Sequence, residues 1–227
     1  MNNKQVNIDR RNFIKKLALG SSAVFLSSSF SLFSYTCIGS DGKTDQIASI
    51  LVDYHKCTGC RTCEAICSSF NKPIKQDGKS VPGIGNPCYS NIKVYNYNPD
   101  ADVPVVCALC NDTPCIQACP VSQDPVTKNK ALFTDTRTHA IKNDPLRCVG
   151  CGSCKEACES KGAGIISLDQ ITSMPQGICT LCNGDPRCVK YCPYDALTFE
   201  KKPAHYKFDR MSKDEIAKEL IKHYYMV

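Results

Sequence analysis

The chain has 227 residues, of which 18 are cysteine and none is tryptophan. Cysteine at this frequency is typical of either a disulfide-stabilised scaffold or a protein built around metal. Disulfide scaffolds are usually much shorter, because their bridges replace the core that small chains lack. The formal net charge of +6 would suit an anionic partner, provided that the charge belongs to the mature chain. Ordinary charge and apolar content argue against long disordered stretches.

The N-terminal segment has the features of an export signal. Arg10 and Arg11 are followed by Phe13 and by an uncharged, serine-rich stretch from residue 17 to 33. A basic region before a short apolar segment is typical of a signal peptide, and this stretch is too polar and too short for a good membrane span. The adjacent arginines resemble the twin-arginine (Tat) signal. We therefore expect residues 1–36 to direct a folded protein to the periplasm, with an amphipathic helix or a membrane anchor as the alternative.

Cys37 follows this apolar stretch and precedes the flexible sequence from Gly39 to Lys43. The acylated cysteine of a bacterial lipoprotein occupies such a position. The residues before it, Ser34 to Thr36, match the usual small-residue pattern of lipoprotein signals poorly. Lipidation of Cys37 would keep the protein membrane-associated; otherwise Cys37 is removed with the signal or is an ordinary thiol.

Sixteen of the other cysteines form four groups of four, which makes the chain after residue 50 an internal repeat. Groups one and three share the spacing C-x2-C-x2-C-x3-C, whereas groups two and four begin with C-x2-C and end with C-x3-C-P. The members are Cys57, Cys60, Cys63 and Cys67 in group one; Cys107, Cys110, Cys115 and Cys119 in group two; Cys148, Cys151, Cys154 and Cys158 in group three; and Cys179, Cys182, Cys188 and Cys192 in group four. Cys88 lies between groups one and two and is interpreted as a lone thiol.

The spacing of groups one and three fits a cubane [4Fe–4S] cluster. Three thiolates on one tight loop reach three different irons, and the fourth cysteine, at the start of a helix, serves a neighbouring cluster, as in the bacterial two-cluster ferredoxins. Gly59, Gly150 and Gly152 suit loops whose backbone approaches the inorganic core closely. Pro120 and Pro193 turn the chain away after the last ligand.

Zinc is the main alternative to iron and sulfide. Zinc sites usually combine two C-x2-C pairs separated by a longer spacer, and groups two and four alone would also fit this pattern. In groups one and three a third cysteine follows the pair after only two residues, which leaves too little room for a zinc site of this kind. Disulfides are disfavoured, because cysteines so close in sequence rarely bridge well. The four groups together therefore predict four [4Fe–4S] clusters.

No other cofactor site and no catalytic constellation is indicated. Gly83 and Gly85 lack the third glycine of a dinucleotide-binding loop, and Pro73 stands where a P-loop needs its first glycine. The histidines form no close pair in sequence, so a haem or a histidine-based metal site is not expected; they are His55, His139, His205 and His223.

The four cysteine groups, in this order behind a twin-arginine signal, resemble the four-cluster iron–sulfur electron-transfer subunits of dimethyl-sulfoxide-reductase-type molybdenum enzymes and of tungsten aldehyde oxidoreductases. The resemblance covers residues 47–202 and all sixteen ligands, although groups one and three lack the proline after the last cysteine and the spacer before Cys188 is short. It implies an α+β fold with two ferredoxin-like (bis-[4Fe–4S]) domains, loop insertions and a C-terminal helix. Residues 47–106 and 159–202 would form the first domain, with an insertion at 68–106; residues 107–158 would form the second, and 203–227 the tail.

In that family, group one pairs with group four, and group two with group three. Carried onto this chain, this pairing implies four ligand sets: set 1, Cys57, Cys60, Cys63 and Cys192; set 2, Cys107, Cys110, Cys115 and Cys158; set 3, Cys148, Cys151, Cys154 and Cys119; and set 4, Cys179, Cys182, Cys188 and Cys67. Sequential pairing, one with two and three with four, is the alternative that the spacing alone leaves open.

The resemblance further implies an electron-transfer subunit without bond chemistry of its own. It would relay single electrons through four clusters to or from a catalytic subunit that holds molybdopterin or tungstopterin, and a membrane quinone-reactive subunit or a cytochrome would be a further partner. An independent periplasmic polyferredoxin, which needs no extensive apolar docking surface, is the alternative, and a structural zinc protein is a second. Basic residues that flank ligands would raise cluster potentials or would simply be solvated; these are Lys56, Arg61, Lys155, Arg187 and Lys190.

Short strands are predicted at residues 50–52, 92–95, 140–141, 165–168 and 196–199. A capping box from Ser212 to Glu215, followed by Ile216 and Leu220 on one face, predicts a tail helix that either closes the domain surface or docks a partner.

The charge changes sign once the signal and the clusters are considered. Residues 1–36 hold five Lys or Arg and one Asp, so a chain from residue 37 has 23 basic and 21 acidic residues. Each oxidised cubane with four thiolates contributes −2, which brings the holoprotein to about −6. Nucleic acid is therefore not expected as a partner.

Overall fold

The computed structural model describes residues 48–203 and 206–226, which form short strands and helices in mixed order. The α+β class is therefore confirmed. The elements are β1 Ala48–Val52, α1 Thr62–Asn71, β2 Ile74–Gln76, β3 Lys79–Val81, β4 Ile92–Asn98, β5 Ala101–Val106, α2 Pro114–Gln117, β6 Leu132–Thr134, β7 Ile141–Asn143, α3 Ser153–Lys161, β8 Ser167–Leu168, β9 Pro175–Gln176, α4 Arg187–Lys190, β10 Leu197–Lys201 and α5 Lys213–Tyr225. The export signal, Cys37 and His205 lie outside the described residues.

Every sheet of the described residues is a two-stranded antiparallel pair. β1 pairs with β10, so the strand that leads into group one lies beside the strand that follows group four, with Ile50 opposite Phe199. β6 pairs with β7 between groups two and three, with Leu132 opposite Asn143. The first and last cysteine groups are thus joined by one pair of strands, and the two middle groups by another.

The hairpin of β4 and β5 is the largest apolar element of the insertion between groups one and two. All six residues of β5 are buried, and Val94 pairs with Pro104 across the hairpin. The sequence predicts β4 but not β5, because Asp102 and Pro104 interrupt its apolar pattern. Its burial comes from tertiary packing, since α5 covers it.

Two local predictions need correction. Only Ser167–Leu168 of the expected strand at 165–168 forms a strand, and the preceding Ile165 and Ile166 are buried in loop backbone. The helices of groups one and three begin just after the second cysteine and not at the fourth. Arg61 and Gly152 take the left-handed conformation at their N-caps and turn the chain directly into the helix.

The predicted tail helix is confirmed as α5. The Ser212 side chain accepts a hydrogen bond from the Glu215 N–H, and the Glu215 carboxylate accepts one from the Ser212 N–H at 2.8 Å, which completes the capping box. Ile216, Ala217 and Leu220 are buried, so this face of the helix closes the domain's own surface against β5. Among the helices of residues 48–203 and 206–226, none is long and apolar enough to cross a membrane.

Candidate iron–sulfur sites

The four cysteine loops share one backbone feature. The residue before the second cysteine has a positive φ in each of them: Gly59 at 64°, Gly150 at 66°, Leu109 at 45° and Leu181 at 50°. Glycine adopts this conformation freely, whereas leucine does so at a cost. Groups two and four therefore share this turn before the second cysteine with groups one and three, although their sequences lack the glycine.

This conformation aims a backbone N–H at the first thiol of the loop. The Leu181 N–H donates to Cys179 Sγ at a donor–acceptor distance of 3.4 Å. Burial raises the pKa of the Cys179 thiol, and this hydrogen bond opposes the rise. Corresponding hydrogen bonds oppose the burial-driven rise in the pKa of Cys57 and of Cys107. Donors of this kind stabilise a thiolate and, in an iron–sulfur protein, adjust the potential of the cluster.

Cys67, from α1, lies with the thiols of group four. The four thiols of set 4 line one cavity with about 290 Å³ of empty space, part of which is open to solvent. Burial raises the pKa of Cys188 to about 12, with nearby Cys67 and Cys182 contributing. The other walls include Ile50, Val106 and Leu181, so the cavity is largely apolar.

The thiols of set 3 line a second cavity, with about 350 Å³ of empty space that is likewise partly open. Here Cys119 comes from the end of group two and the other three thiols from the group-three loop. Val121, Leu132 and Pro175 supply apolar walls. This cavity therefore combines cysteines of the two middle groups, two and three.

The remaining two sets are also brought together. Burial raises the pKa of Cys115 to about 12, with Cys107, Cys158 and Cys110 as the neighbouring charges. Burial likewise raises the pKa of Cys57, and Asp102, Cys60 and Cys192 add to the rise. Cys158 of group three thus lies with group two, and Cys192 of group four lies with group one.

In the described residues, the sixteen thiols lie together in the four sets that the crossed pairing names. Among the described residues, no three His, Cys, Asp or Glu side chains lie close enough to hold a single metal ion. A cubane makes a different demand, because each of its four thiolates binds a separate iron. Four buried or half-buried sets of four thiols, with backbone donors to their sulfurs, fit that group.

The sets form a linear order of 1, 4, 2 and 3. Cys63 of set 1 is close enough to Cys188 of set 4 to raise its pKa. The Cys179 N–H of set 4 donates to the Cys107 thiol of set 2. α2 packs against α3, which brings the ligands of sets 2 and 3 side by side. Among the described residues, three thiols are exposed: Cys60 in set 1, Cys151 in set 3, and Cys88, which lies outside all four sets.

The five basic residues that the sequence singles out beside ligands are each engaged with an acid. Lys56 pairs with Asp53, Arg61 with Glu64, Lys155 with Glu159, and both Arg187 and Lys190 with Asp185. Their charge is therefore largely offset. Two further cations, Arg210 and Lys202, lie near the thiol of Cys110. Burial raises the pKa of this thiol, and the two cations lower it. Lys202 and Arg210 are remote from Cys110 in sequence, so only the fold reveals them.

Two histidines that are far apart in sequence come together in the folded chain. The rings of His55 and His223 lie 4.9 Å apart between centroids, and His55 Nδ1 is 3.1 Å from the Tyr224 hydroxyl. α5 brings His223 to the loop before Cys57. The pair lies beside set 1 and contributes no third metal-binding side chain.

Comparison with known proteins extends this picture. No family model matches the chain. The aliphatic sulfonate oxidoreductase polyferredoxin-like subunit of Pyrococcus furiosus is 35% identical over 156 residues, which cover 65% of this chain and 75% of the relative. The electron transport protein HydN of Escherichia coli is 28% identical over 162 residues, covering 65% of this chain and 85% of the relative. A Halobacterium salinarum protein, named as an iron–sulfur subunit of dimethyl sulfoxide reductase, is 27% identical over 180 residues, covering 66% of this chain and 64% of the relative.

The thiol sets and the α+β scaffold define the class as an iron–sulfur protein of the ferredoxin type. The similarity to the Pyrococcus subunit identifies the family within this class. The chain belongs to the polyferredoxin-like electron-transport proteins, and its role is electron transfer.

Proposed function

We propose that the chain is the electron-transfer subunit of an oxidoreductase complex and holds four [4Fe–4S] clusters in sets 1 to 4. It relays single electrons along the order 1, 4, 2, 3, between a catalytic subunit with a molybdenum or tungsten pterin and a second redox partner, such as a membrane quinone-reactive subunit or a cytochrome. The observation that carries the relay is the unbroken succession of neighbouring thiol sets from the exposed Cys60 to the exposed Cys151. The names of the Pyrococcus and Halobacterium relatives support a place in such a complex.

When bound, each cubane supplies one-electron oxidation and reduction. The residues of the chain hold each cluster, exclude water from it and set its potential. The N–H groups of the four loops donate to ligand sulfurs and favour the more negative, reduced state. Near set 2, Lys202 and Arg210 favour reduction, although ion pairs with Asp209 and Asp112 offset part of their charge; in set 1 the buried carboxylate of Asp102 beside Cys57 disfavours reduction.

Three turns around set 3 favour a stably bound subunit over a diffusible carrier. In each turn an aspartate Oδ1 accepts the N–H of the residue two places later, which is Val126, Leu146 or Ile171. The side chains of these three residues are 86%, 94% and 93% exposed. Single exposed apolar residues are normal on a protein surface. Here the same type of turn exposes an aliphatic side chain three times, which indicates a contact surface.

These turns lie around the same thiol set. Arg147 donates to the backbone oxygens of Ser122 and Asn129, which ties the Val126 turn to the group-three loop. Gly150 of that loop lies against Thr172 and Ser173, at the end of the Ile171 turn. Apolar contact surface of this kind is typical of permanent interfaces and is of no use to a freely diffusing polyferredoxin. It supports a subunit that keeps its partner at the set 3 end.

Export by the twin-arginine pathway is part of the same proposal. Residues 1–36 would carry the folded, cluster-loaded protein to the periplasm, with Cys37 as the candidate lipid attachment site. The sequence Arg10-Arg11 with Phe13 supports this.

Purification of the native complex tests the proposed function. We expect about sixteen irons and sixteen sulfides per chain if each of the four sets holds a cubane. EPR spectra of the reduced protein should show interacting [4Fe–4S] clusters, and molybdenum or tungsten should co-purify with a larger subunit. Zinc without sulfide would overturn the iron–sulfur assignment. A fully loaded monomer that elutes free of any partner would favour the independent polyferredoxin instead.

A further inference from the structure

A polar cavity lies beside set 4, outside the thiol sets themselves. It is bounded by the end of α1, the turn at Pro87–Tyr89, the start of β4 and the pair of β8 and β9, and it has about 650 Å³ of empty space including its opening to solvent. The lining residues that matter for its chemistry are Asn71, Lys72, Cys88, Tyr89, Asn91 and Lys93. We call it the lysine cavity.

The cavity carries two positive charges and no acidic wall. Lys72 and Lys93 both line it, and neither makes an ion pair with any acid among the described residues. The Lys72 ammonium lies over the Tyr89 ring, 5.2 Å from its centroid. The Lys93 ammonium donates to the backbone oxygens of Pro87 and Cys88. With two lysines and no acid among its lining residues, this cavity is a local excess of positive charge that favours an anion.

The wall of the cavity touches a ligand of set 4. The Asn91 N–H donates to Cys67 Sγ at 3.2 Å, and Asn71 Nδ2 donates to the same sulfur at 3.4 Å. Thr180, next to the ligand Cys179, donates through its hydroxyl to Asn71 Oδ1 at 3.1 Å. A charge held in the cavity is therefore separated from the Cys67 sulfur by a single layer of protein groups.

We propose that the lysine cavity binds a small divalent oxyanion, of the sulfate or phosphate type, through Lys72 and Lys93, and that the bound anion lowers the reduction potential of the cluster at set 4. The binding follows from the cavity alone, whereas the redox effect rests on the proposed cluster. An added electron makes the cluster more negative, so an anion beside Cys67 disfavours reduction and also screens the two lysines that favour it.

The coupling works in both directions. If the anion lowers the potential, the oxidised holoprotein must bind the anion more tightly than the reduced one by the corresponding factor. A tenfold difference in affinity corresponds to about 59 mV for a one-electron couple. Because set 4 lies between sets 1 and 2, such a shift would slow electron flow through the whole relay.

Isothermal titration calorimetry on the holoprotein tests the binding. Sulfate and inorganic phosphate are titrated at constant ionic strength against chloride, with the protein oxidised and again after photochemical reduction. We expect one site per chain, selectivity over chloride, and affinity severalfold higher in the oxidised state. The double variant Lys72→Gln, Lys93→Gln should lose about tenfold or more in affinity, in line with the loss of two charge-assisted contacts. Binding no stronger than that of chloride would overturn the site, and equal affinity in both redox states would overturn the coupling.

A matched control separates the site from general charge effects. Lys75 and Lys79 lie exposed on the hairpin of β2 and β3, in the same insertion but outside the cavity, and neither is in an ion pair among the described residues. The variant Lys75→Gln, Lys79→Gln changes the net charge by the same amount and should bind the anion as the unmodified chain does. If it loses as much affinity as the cavity variant, the proposal fails.

Cys88 provides an independent readout, because its exposed thiol lines the cavity, whereas in the proposed holoprotein the sixteen ligand thiols would be bound to iron. Sulfate should slow its alkylation by the neutral reagent iodoacetamide severalfold in the unmodified chain and in the control variant, but not in the cavity variant. Absence of protection in all three proteins would contradict the site. Iron and sulfide analysis of the same samples separates failure of the anion site from failure of the proposed function. A chain that holds four cubanes but binds no anion contradicts the anion site and leaves the proposed function unaffected.

Discussion

At the scale of single residues, the position before the second cysteine shows how one backbone conformation is reached by two kinds of side chain. Gly59 and Gly150 occupy it without strain, and the sequence indicates them directly. Leu109 and Leu181 hold the same left-handed conformation at a cost of about 1–2 kcal/mol. Both leucines are buried, Leu181 to 2% exposure, so burial of the side chain offsets the strain of the backbone.

This explanation predicts an inverted order of two substitutions at Leu181. Leu181→Ala should destabilise the holoprotein by about 2–4 kcal/mol, because the buried contacts are lost and the strain remains. Leu181→Gly loses the same contacts but relieves the strain, so it should be about 1 kcal/mol less destabilising. The rate at which visible cluster absorbance disappears in denaturant measures both, since unfolding with cluster loss is irreversible.

Leu220 is the matched control for that comparison. It is equally buried but lies inside α5, where glycine is worse than alanine by about 1 kcal/mol. Leu220→Gly should therefore be less stable than Leu220→Ala. The same order at Leu181 would contradict the role of backbone strain there.

Two charged side chains predict potential shifts of opposite sign. Arg210→Gln should lower the potential of the cluster at set 2, because a cation near Cys110 is lost and its partner Asp112 is left unpaired. Asp102→Asn, which keeps the shape of the side chain, should raise the potential at set 1. Redox titrations monitored by EPR would measure both shifts.

Lys155→Gln serves as the control for these titrations. Lys155 is exposed, near the ligand Cys154, and already paired with Glu159. Its loss should leave the potentials nearly unchanged, because an exposed and neutralised charge acts weakly through water. A shift as large as that of Arg210→Gln would show that net charge, and not local contact, sets the potentials.

At the scale of elements, the predictable parts are those with local signals. The capping box at Ser212 predicts the start of α5 because both of its partners lie within four residues. The strand β5 could not be predicted, because Asp102 and Pro104 break its pattern and its burial depends on α5, more than one hundred residues later. The N-terminal ends of α1 and α3 could not be placed for a related reason: the left-handed Arg61 is not a residue that usually marks a helix start.

Removal of the capping hydroxyl should loosen the tail helix at its first turn. Ser212→Ala is expected to cost about 1 kcal/mol and to increase hydrogen exchange at the first amides of α5, which lose their acceptor. Ser160→Ala, on the exposed side of α3, should change neither quantity. Unchanged exchange in the Ser212 variant would show that packing against β5 alone holds the helix start.

At the scale of the whole molecule, the sequence indicates sixteen cysteines as candidate ligands, but not which of them lie together in the fold. The spacing alone leaves crossed and sequential pairing open, and only the family resemblance favours the crossed one. In the structure, the pairing of β1 with β10 brings the two ends of the cysteine region together and places Cys67 with group four and Cys192 with group one. The deciding contacts are long-range, so no local spacing could reveal them.

Cys192→Ser tests the crossed pairing. We expect this variant to alter the cluster whose signal is also altered by Cys57→Ser, because both residues belong to set 1. Iron content and EPR spectra of the two variants, compared with those of Cys188→Ser and Cys148→Ser, give the assignment. Cys88→Ser, which removes a thiol outside all four sets, should keep the full iron content. If Cys192→Ser instead resembles Cys148→Ser, the pairing is sequential at this end, and if it resembles Cys188→Ser, Cys192 serves the cluster of its own group; either outcome contradicts the crossed pairing.

The strand pair of β1 and β10 brings together cysteines from the two ends of the cysteine region, which determines when each set becomes complete during translation. Sets 2 and 3 have all their cysteines once residue 158 has left the ribosome, whereas sets 4 and 1 wait for residues 188 and 192. The loop that is translated first is therefore completed by the cysteine that is translated last. A chain that ends before residue 188 therefore has the complete cysteines of sets 2 and 3 alone, and one that ends before residue 192 lacks a ligand of set 1, so under the proposed assignment only a chain translated past residue 192 can hold all four clusters.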